Sequence, residues 1–428
     1  MATRKTKGTT ESSDVVITEA VEVKPEKATI KKKKTIKKET NTEEVKPKKR
    51  ASKKSTKSET IDNVIEFPAE LKSVDTTEIE SAITPELLDS MVDAMNAQTE
   101  IDSFLDTMPM PTMVEPSVTL INEPNPFKRI ETAGRTCYKS EGNITKNSAI
   151  SFVSKLIENN HTAMIEHASV AFQMDCDEGC EPILLDYIIY IQKQHYLHVT
   201  IEPSIPRIMI SGNIRAILQR NIMDPITRSL LAKYPEFSPM VDTSKEPTHV
   251  QVRADIKDLR KIEDLTRDEF MNHFHITARF ITDRGVSHEL VRHRLFSFAQ
   301  ESTRYCNYSK NKFGNHVTFC KPSTYEDWTP DQQDILNTTL STLDSVYQAL
   351  VSGDDALAPQ QVRAILPSCT KTEIVVSGPG FEWKYFFALR SEGVTGPPHP
   401  DMKYIADIAL QKINKYLRTL KYKTTIQF

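Results

Sequence analysis

Arg292, Arg294 and Arg304, with His293, Gln300, Ser302 and Thr303 among them, fall within the fourteen residues 292–305. A guanidinium is a rigid fork of donors that suits phosphates and other planar anions, and it stays charged at any working pH. Such density on a folded domain points to a phosphorylated small molecule as ligand. Three further groups carry compatible chemistry. His161, Glu166 and His167 lie within seven residues, just before an alternating segment. Arg363 ends an apolar run that Pro367 stops, and an aromatic-rich run, 383–390, ends in Arg390 and is followed by a Gly/Pro loop with His399.

The elements that must position these groups follow from hydrophobic periodicity. Residues 118–121, 168–174 and 274–281 read as strands, and residues 146–160, 336–352 and 402–420 as helices. Residues 287–296 are expected to be helical, with Ser287 as N-cap after Asp283-Arg284-Gly285. A charged helix is expected near 255–270, and residues 187–198 as a buried helix or strand. Strands and helices alternate with neither a G-x-G-x-x-G turn nor a P-loop, so any dinucleotide is held by other means.

Charge divides the 428-residue chain into three parts. Residues 1–60 carry 18 Lys+Arg against 9 Asp+Glu, residues 61–116 carry one Lys against 13 acids, and residues 117–428 balance at 36 of each. The tail, with Lys31-Lys32-Lys33-Lys34 and few aromatics, cannot bury enough apolar surface to offset chain entropy and reads as disordered. It is either a solvated arm or a loose contact for a polyanion such as nucleic acid. One short amphipathic helix is expected within 85–108, and Pro109, Pro111 and Pro116 mark the boundary with a body at 117–428, of which about 175–270 is a long mixed insertion. The chain has no apolar run of 18 residues and no signal-peptide pattern, so a soluble, cytoplasmic protein with free thiols at its six cysteines is expected. Cys176, Cys180, His195 and His198 follow the order of a zinc finger, but their spacing fits poorly; an acidic turn and partly buried histidines fit better, and no metal is expected.

With these motifs in view, the chain resembles the flavin-dependent thymidylate synthases. The resemblance rests on Arg292-His293-Arg294, seven intervening residues, then Ser302-Thr303-Arg304-Tyr305. In order along the chain it also takes in Ala133-Gly134-Arg135-Thr136-Cys137-Tyr138, residues 161–167, the Arg363 block and Leu389-Arg390. It implies an α/β fold of that family's type, a central sheet with flanking helices, assembled as a homotetramer. It implies conversion of dUMP to dTMP with methylenetetrahydrofolate as carbon donor, NADPH as reductant and FAD as hydride relay, without a cysteine nucleophile. FAD contacts are then implied for His161, Ala163, Arg292, His293, Arg294 and His399. Contacts to dUMP are implied for Glu289, Arg292, Gln300, Ser302, Thr303, Arg304, Arg363 and Arg390. Ser302 and Arg304, two apart in an extended loop, point the same way. Arg390 has the catalytic role, since a guanidinium beside the uracil favours its deprotonated, electron-rich ring.

Two departures matter. Members often carry Asn-Glu where this chain has Ala299-Gln300, with Glu301 one place later. An Asn-x-Arg pair that some members place before the last arginine is replaced here by Pro379-Gly380-Phe381, and the polar stretch 211–216 is a candidate to serve instead. Two rivals stand beside the enzyme reading: a phosphate- or nucleic-acid-binding protein, which needs no flavin, and a catalytically lapsed relative kept as a structural subunit.

Overall fold

The computed structural model describes residues 89–90, 92–94, 107–175, 181–194, 196–202, 207–256 and 265–420. The chain divides into two units, 1–82 and 83–428, and every described residue belongs to the second. The basic tail therefore lies outside the described residues, as does most of the amphipathic helix expected over 85–108; residues 89–90 and 92–94 are helical and exposed.

Ten strands are described: β1 (Thr112–Val114), β2 (Ser117–Leu120), β3 (Ser169–Asp175), β4 (Leu197–Glu202), β5 (Arg207–Asn213), β6 (Asp255–Ile256), β7 (His275–Asp283), β8 (Ser297–Gln300), β9 (Thr318–Cys320) and β10 (Lys371–Pro379). The helices are α1 (Pro126–Tyr138), α2 (Ser148–Glu158), α3 (Glu181–Gln192), α4 (Ile214–Leu218), α5 (Pro225–Lys233), α6 (Arg267–His273), α7 (Arg284–Leu290), α8 (Pro330–Leu350), α9 (Pro359–Val362), α10 (Gly380–Arg390) and α11 (Pro400–Thr419).

The central sheet has the order β2-β7-β10-β8, antiparallel throughout. Strands β7 and β10 pair over nine residues, from Lys371 opposite Asp283 to Pro379 opposite His275. Period-two alternation gives the sheet two unlike faces. Ile276, Ala278, Phe280, Ile374 and Val376 join one apolar core with Trp383, Phe386 and Phe387 of α10 and Met402, Ile405 and Ile413 of α11. Trp383 is fully buried, stacks on Phe280 and donates Nε1–H to the Ile276 carbonyl at 3.2 Å. Burial on this scale stabilises by about 2–3 kcal/mol for each such side chain. On the opposite face, Val375 and Ala299 meet Ala133 of α1.

A second sheet, β4-β5-β3-β6, is also antiparallel and has its own core, to which α1, α2, α3 and α5 contribute. The expected helix–sheet fold is thus present, with antiparallel sheets throughout its two larger layers.

Several local expectations are revised. Asp283, not Ser287, caps α7: its Oδ1 accepts from the Val286 amide at 2.7 Å, and Ser287 lies inside the helix with its hydroxyl on the Arg284 carbonyl. Helix α7 spans Arg284–Leu290, and residues 291–296 are a run of turns instead of the expected helix. Phe296 inserts where Gly378 of β10 leaves room, since a Cβ on Gly378 would lie 2.3 Å from the Phe296 ring. The charged helix expected near 255–270 begins only at Arg267, where Thr266 and Glu269 form a reciprocal capping box; Asp255 and Ile256 are strand, and 257–264 lie outside the described residues. Residues near the end of the extension expected over 1–116 take part in the fold. Strand β1 pairs in parallel with β9, and the Ser341 hydroxyl donates to the Pro109 carbonyl at 2.7 Å.

Candidate functional site

Arg390 closes α10, and the last turn of α7 together with the turn after it brings two partners to it. Its Nη1 donates to Glu289 Oε2 at 2.8 Å and its Nε to His293 Nε2 at 3.2 Å. Because the guanidinium can only donate, His293 Nε2 must be the lone-pair nitrogen and the ring proton must sit on Nδ1. Burial, and secondarily the Arg390 charge, lowers the His293 pKa to about 4, so the ring is neutral at neutral pH. His293 Nδ1 is buried and has no partner among the described residues. The ring is fixed edge-on against Phe386, with centroids 5.0 Å apart. Glu289, His293 and Arg390 are thus brought together.

Gln300 and Glu301 diverge. The Gln300 amide donates to Ser287 Oγ at 2.8 Å and to Thr372 Oγ1 at 3.2 Å, toward α7. Glu301 turns to the α1 face, where Oε2 accepts from Lys371 at 2.9 Å and Oε1 from the Tyr308 hydroxyl at 3.2 Å. Lys371 also donates to Glu373 at 2.7 Å, Lys139 pairs with the same carboxylate, and Arg279 approaches it at 3.7 Å. Burial opposes the charge on Lys371 and on Glu373. Mutual attraction outweighs it, holding the ammonium above and the carboxyl below their usual ranges. This cluster ties the strand carrying the motif to α1.

Past Glu301 the chain does not run extended. Residues 302–305 form a tight turn, in which the Ser302 carbonyl accepts from Tyr305 at 3.1 Å and Cys306 at 2.9 Å. Ser302 and Arg304 therefore do not share a direction in the way an extended loop would allow. Thr303 is buried, whereas Arg304 is exposed over the Tyr305 ring, 5.2 Å from its centroid, and donates to that hydroxyl at 3.1 Å.

A cavity of about 320 Å³ opens between the two sheets. One wall is His275, Ser297, Ser377, Gly378 and Pro379 of the central sheet with Arg294 from the turn before β8; the other is Glu166, Tyr196, His198, Asn213, Arg215 and Gln219. Arg215 pairs with Glu166. Arg294 has no ion-pair partner among the described residues. Behind the cavity the His167 ring, through Nδ1, shares a hydrogen bond of 2.8 Å with Ser377, which is 2.9 Å from the Thr277 hydroxyl. Burial lowers His167 to about 4 and His275 to about 3, and His198 also falls, so the imidazoles here are neutral.

The remaining expected residues are dispersed within one chain. Arg292 and Arg363 are exposed, and His161 and Ala163 are exposed at the start of a 3-10 turn. His399 is the N-cap of α11, its Nδ1 accepting from the Asp401 amide at 3.3 Å. Of the zinc-ordered residues, only His198 lies among those described, on β4. Sequence reading did not single out Tyr196, Gln219, His275 or Ser377 as site residues. They converge only through packing of the two sheets, so no local spacing marks them.

A family profile described as thymidylate synthase complementing protein matches residues 119–185 and 233–417, more than half of the chain, leaving 186–232 unmatched between them. A flavin-dependent thymidylate synthase of Geobacter sulfurreducens is 29% identical over 133 residues, 31% of this chain and 54% of that protein. Another, of Mycobacterium marinum, is 31% identical over 150 residues, 31% of this chain and 56% of that protein. The chain thus spans about half the length of the curated relatives it matches. Among solved structures, a UMP/dUMP methylase, PolB, from Streptomyces cacaoi bound with 5-Br UMP covers 74% of this chain and 96% of its own at 13% identity and a TM-score of 0.32. Thymidylate Synthase X from Helicobacter pylori with FAD and dUMP covers 48% and 94% at 13% identity and a TM-score of 0.29.

Proposed function

The chain belongs to the thymidylate synthase complementing protein family, and from that premise we propose that it is a flavin-dependent thymidylate synthase, methylating dUMP to dTMP. The carbon donor is methylenetetrahydrofolate, the reductant NADPH and the resident cofactor FAD. The observation that carries the reading is the Arg390 clamp, a guanidinium held by Glu289 and by His293, the central residue of Arg292-His293-Arg294.

Whether the chain can hold FAD is a question for the cavity between the sheets. Its walls supply Arg294 for a phosphate, a buried His275 Nε2 without a partner among the described residues, and amide and hydroxyl groups for a polar ring edge. Gly378 adds no side chain to the wall. These residues fit a flavin dinucleotide, and Arg294, Glu166 and Arg215 would hold it. When bound, FAD supplies hydride to the pyrimidine ring.

The protein's own residues do the rest. Arg390, kept in place by an anion on Nη1 and an acceptor on Nε, is fixed as a positive charge for the uracil, and preorganised charge stabilises a developing anion without reorganisation. The His293 Nδ1–H is a buried donor awaiting an acceptor, which a bound ligand's oxygen would satisfy. Gln300 offers a neutral amide where a carboxylate is common, so it contacts a ring without adding negative charge to the site. The dispersed Arg292, Ser302, Arg304 and Arg363 are assigned to the dUMP phosphate and sugar in a homotetramer whose subunits complete one another's sites.

The test is direct. The purified full chain should be yellow, its flavin should bleach with NADPH, and dTMP should form from dUMP and methylenetetrahydrofolate. A protein that cannot be loaded with FAD would overturn the reading, and one that binds FAD and dUMP without turnover would mark the lapsed relative.

A further inference from the structure

We propose that the segment lying between the two family-matched stretches, residues 186–232, forms one wall of the FAD cavity and sets the affinity for the flavin through Tyr196, Arg215 and Gln219. The inference rests on the proposed FAD-dependent function and deepens it.

The described residues of the segment do not hang from the surface. From it Tyr196, His198, Asn213, Arg215, Ala216 and Gln219 line the cavity, opposite Arg294 of the arginine-rich motif. It is pinned from both flanking matched stretches. Glu166, in the first, pairs with Arg215. His273, in the second, bridges β5 and β4, with Nδ1 2.8 Å from Ser211 Oγ and Nε2 2.8 Å from Thr200 Oγ1. Strand β4 packs so closely on β5 that a Cβ on Gly212 would lie 2.4 Å from Leu197 Cδ2. Tyr196, just before β4, has a φ of 65°, a left-handed conformation uncommon for a tyrosine.

The chemistry of this wall selects a ligand class. With its amide oxygen turned toward Arg215, Gln219 accepts from Nε at 2.9 Å and Nη2 at 3.1 Å, and its NH₂ points away from that guanidinium. Glu166 neutralises Arg215, so Arg294 gives the cavity its net positive charge, while His198 and His275 line it as neutral rings. A cavity with one net cation, neutral imidazoles and amide donors takes an anionic ligand with a polar heteroaromatic ring, the chemistry shared by a flavin dinucleotide and a nicotinamide dinucleotide. The wall touches the cavity that holds Arg294, so the flavin is the committed occupant.

Tyr196 and Gln219 are exposed, so their removal should spare the fold. In the full-length protein, FAD and NADPH are titrated separately into wild type, the double variant Tyr196→Ala/Gln219→Ala and the control Ile189→Ser, an exposed position on α3 outside the cavity. The double variant should bind FAD at least about fivefold more weakly, the effect of losing roughly one hydrogen bond, at an unchanged melting temperature and NADPH affinity. The control should match wild type. An unchanged FAD affinity in the double variant, a loss confined to NADPH, or an equal loss in the control would overturn the proposal. A wild-type chain that binds no FAD would instead overturn the functional reading beneath it.

Discussion

Arg390 Nε donates to His293 Nε2 at 3.2 Å, so the motif's central histidine serves first as an acceptor that aims an arginine. Glu289 completes the hold at 2.8 Å. Removing the guanidinium should leave the cavity between the sheets untouched. Arg390→Ala is expected to retain FAD while dUMP-dependent turnover falls about 10²–10³-fold, the cost of losing one preorganised donor group. Steady-state kinetics beside flavin absorbance checks this; undiminished turnover would refute the role.

The same contact sets a pH dependence. His293 has a folded pKa of about 4 against an ordinary 6.5, so as pH falls below 6.5 the unfolded chain takes up a proton that the folded chain refuses. Stability from this group is present above pH 6.5 and is lost progressively toward pH 4. In His293→Gln the amide oxygen can still accept from Arg390 and nothing titrates. Its melting temperature should therefore fall less than that of wild type between those limits, and parallel curves would exclude the assignment.

Gly378 is a packing requirement of the motif. Gly378→Ala drives a methyl into the Phe296 ring, and relief requires displacing the turn that carries Arg294. A destabilisation of about 1–3 kcal/mol is expected from such overpacking, with weakened FAD binding. Chemical denaturation and flavin titration measure the two effects, and a fully stable variant would show that the turn yields freely.

Truncation separates the extension from the body. Deleting 1–106 should leave turnover and melting temperature near wild type. Deleting 1–116 removes β1 from beside β9 and the Pro109 carbonyl from Ser341, and should lower the melting temperature by several degrees. Equal melting temperatures in the two deletions would show that β1 contributes nothing.

What the sequence made legible was whatever short-range periodicity and spacing encode. Helix α11 announces itself through Met402, Ile405, Ala409 and Ile413, which line one core-facing stripe, and β7 through the alternation of Ile276, Ala278 and Phe280. The start of helix α7 is ambiguous in the sequence because it offers two caps: Ser287 has a suitable hydroxyl, but it is Asp283 that holds the Val286 amide. The partnership of Glu289 with Arg390 spans about a hundred residues, and no local pattern connects the two. Nor could spacing show that Gln219 and Arg294 face one cavity, because that depends on how two sheets pack.

The opposite courses of Gln300 and Glu301 have a genetic consequence. A strand presents alternate residues to alternate sides, so β8 acts as a two-phase reading frame for chemistry: one phase supplies the amide bonded to Ser287 of α7, the other the ion cluster beneath α1. A single-residue insertion or deletion within it would swap the phases, bringing a carboxylate to the α7 side and stranding Lys371 without Glu301. Substitutions can be explored one at a time along this stretch, but changes of length cannot, and drift in the segment is confined to side-chain identity.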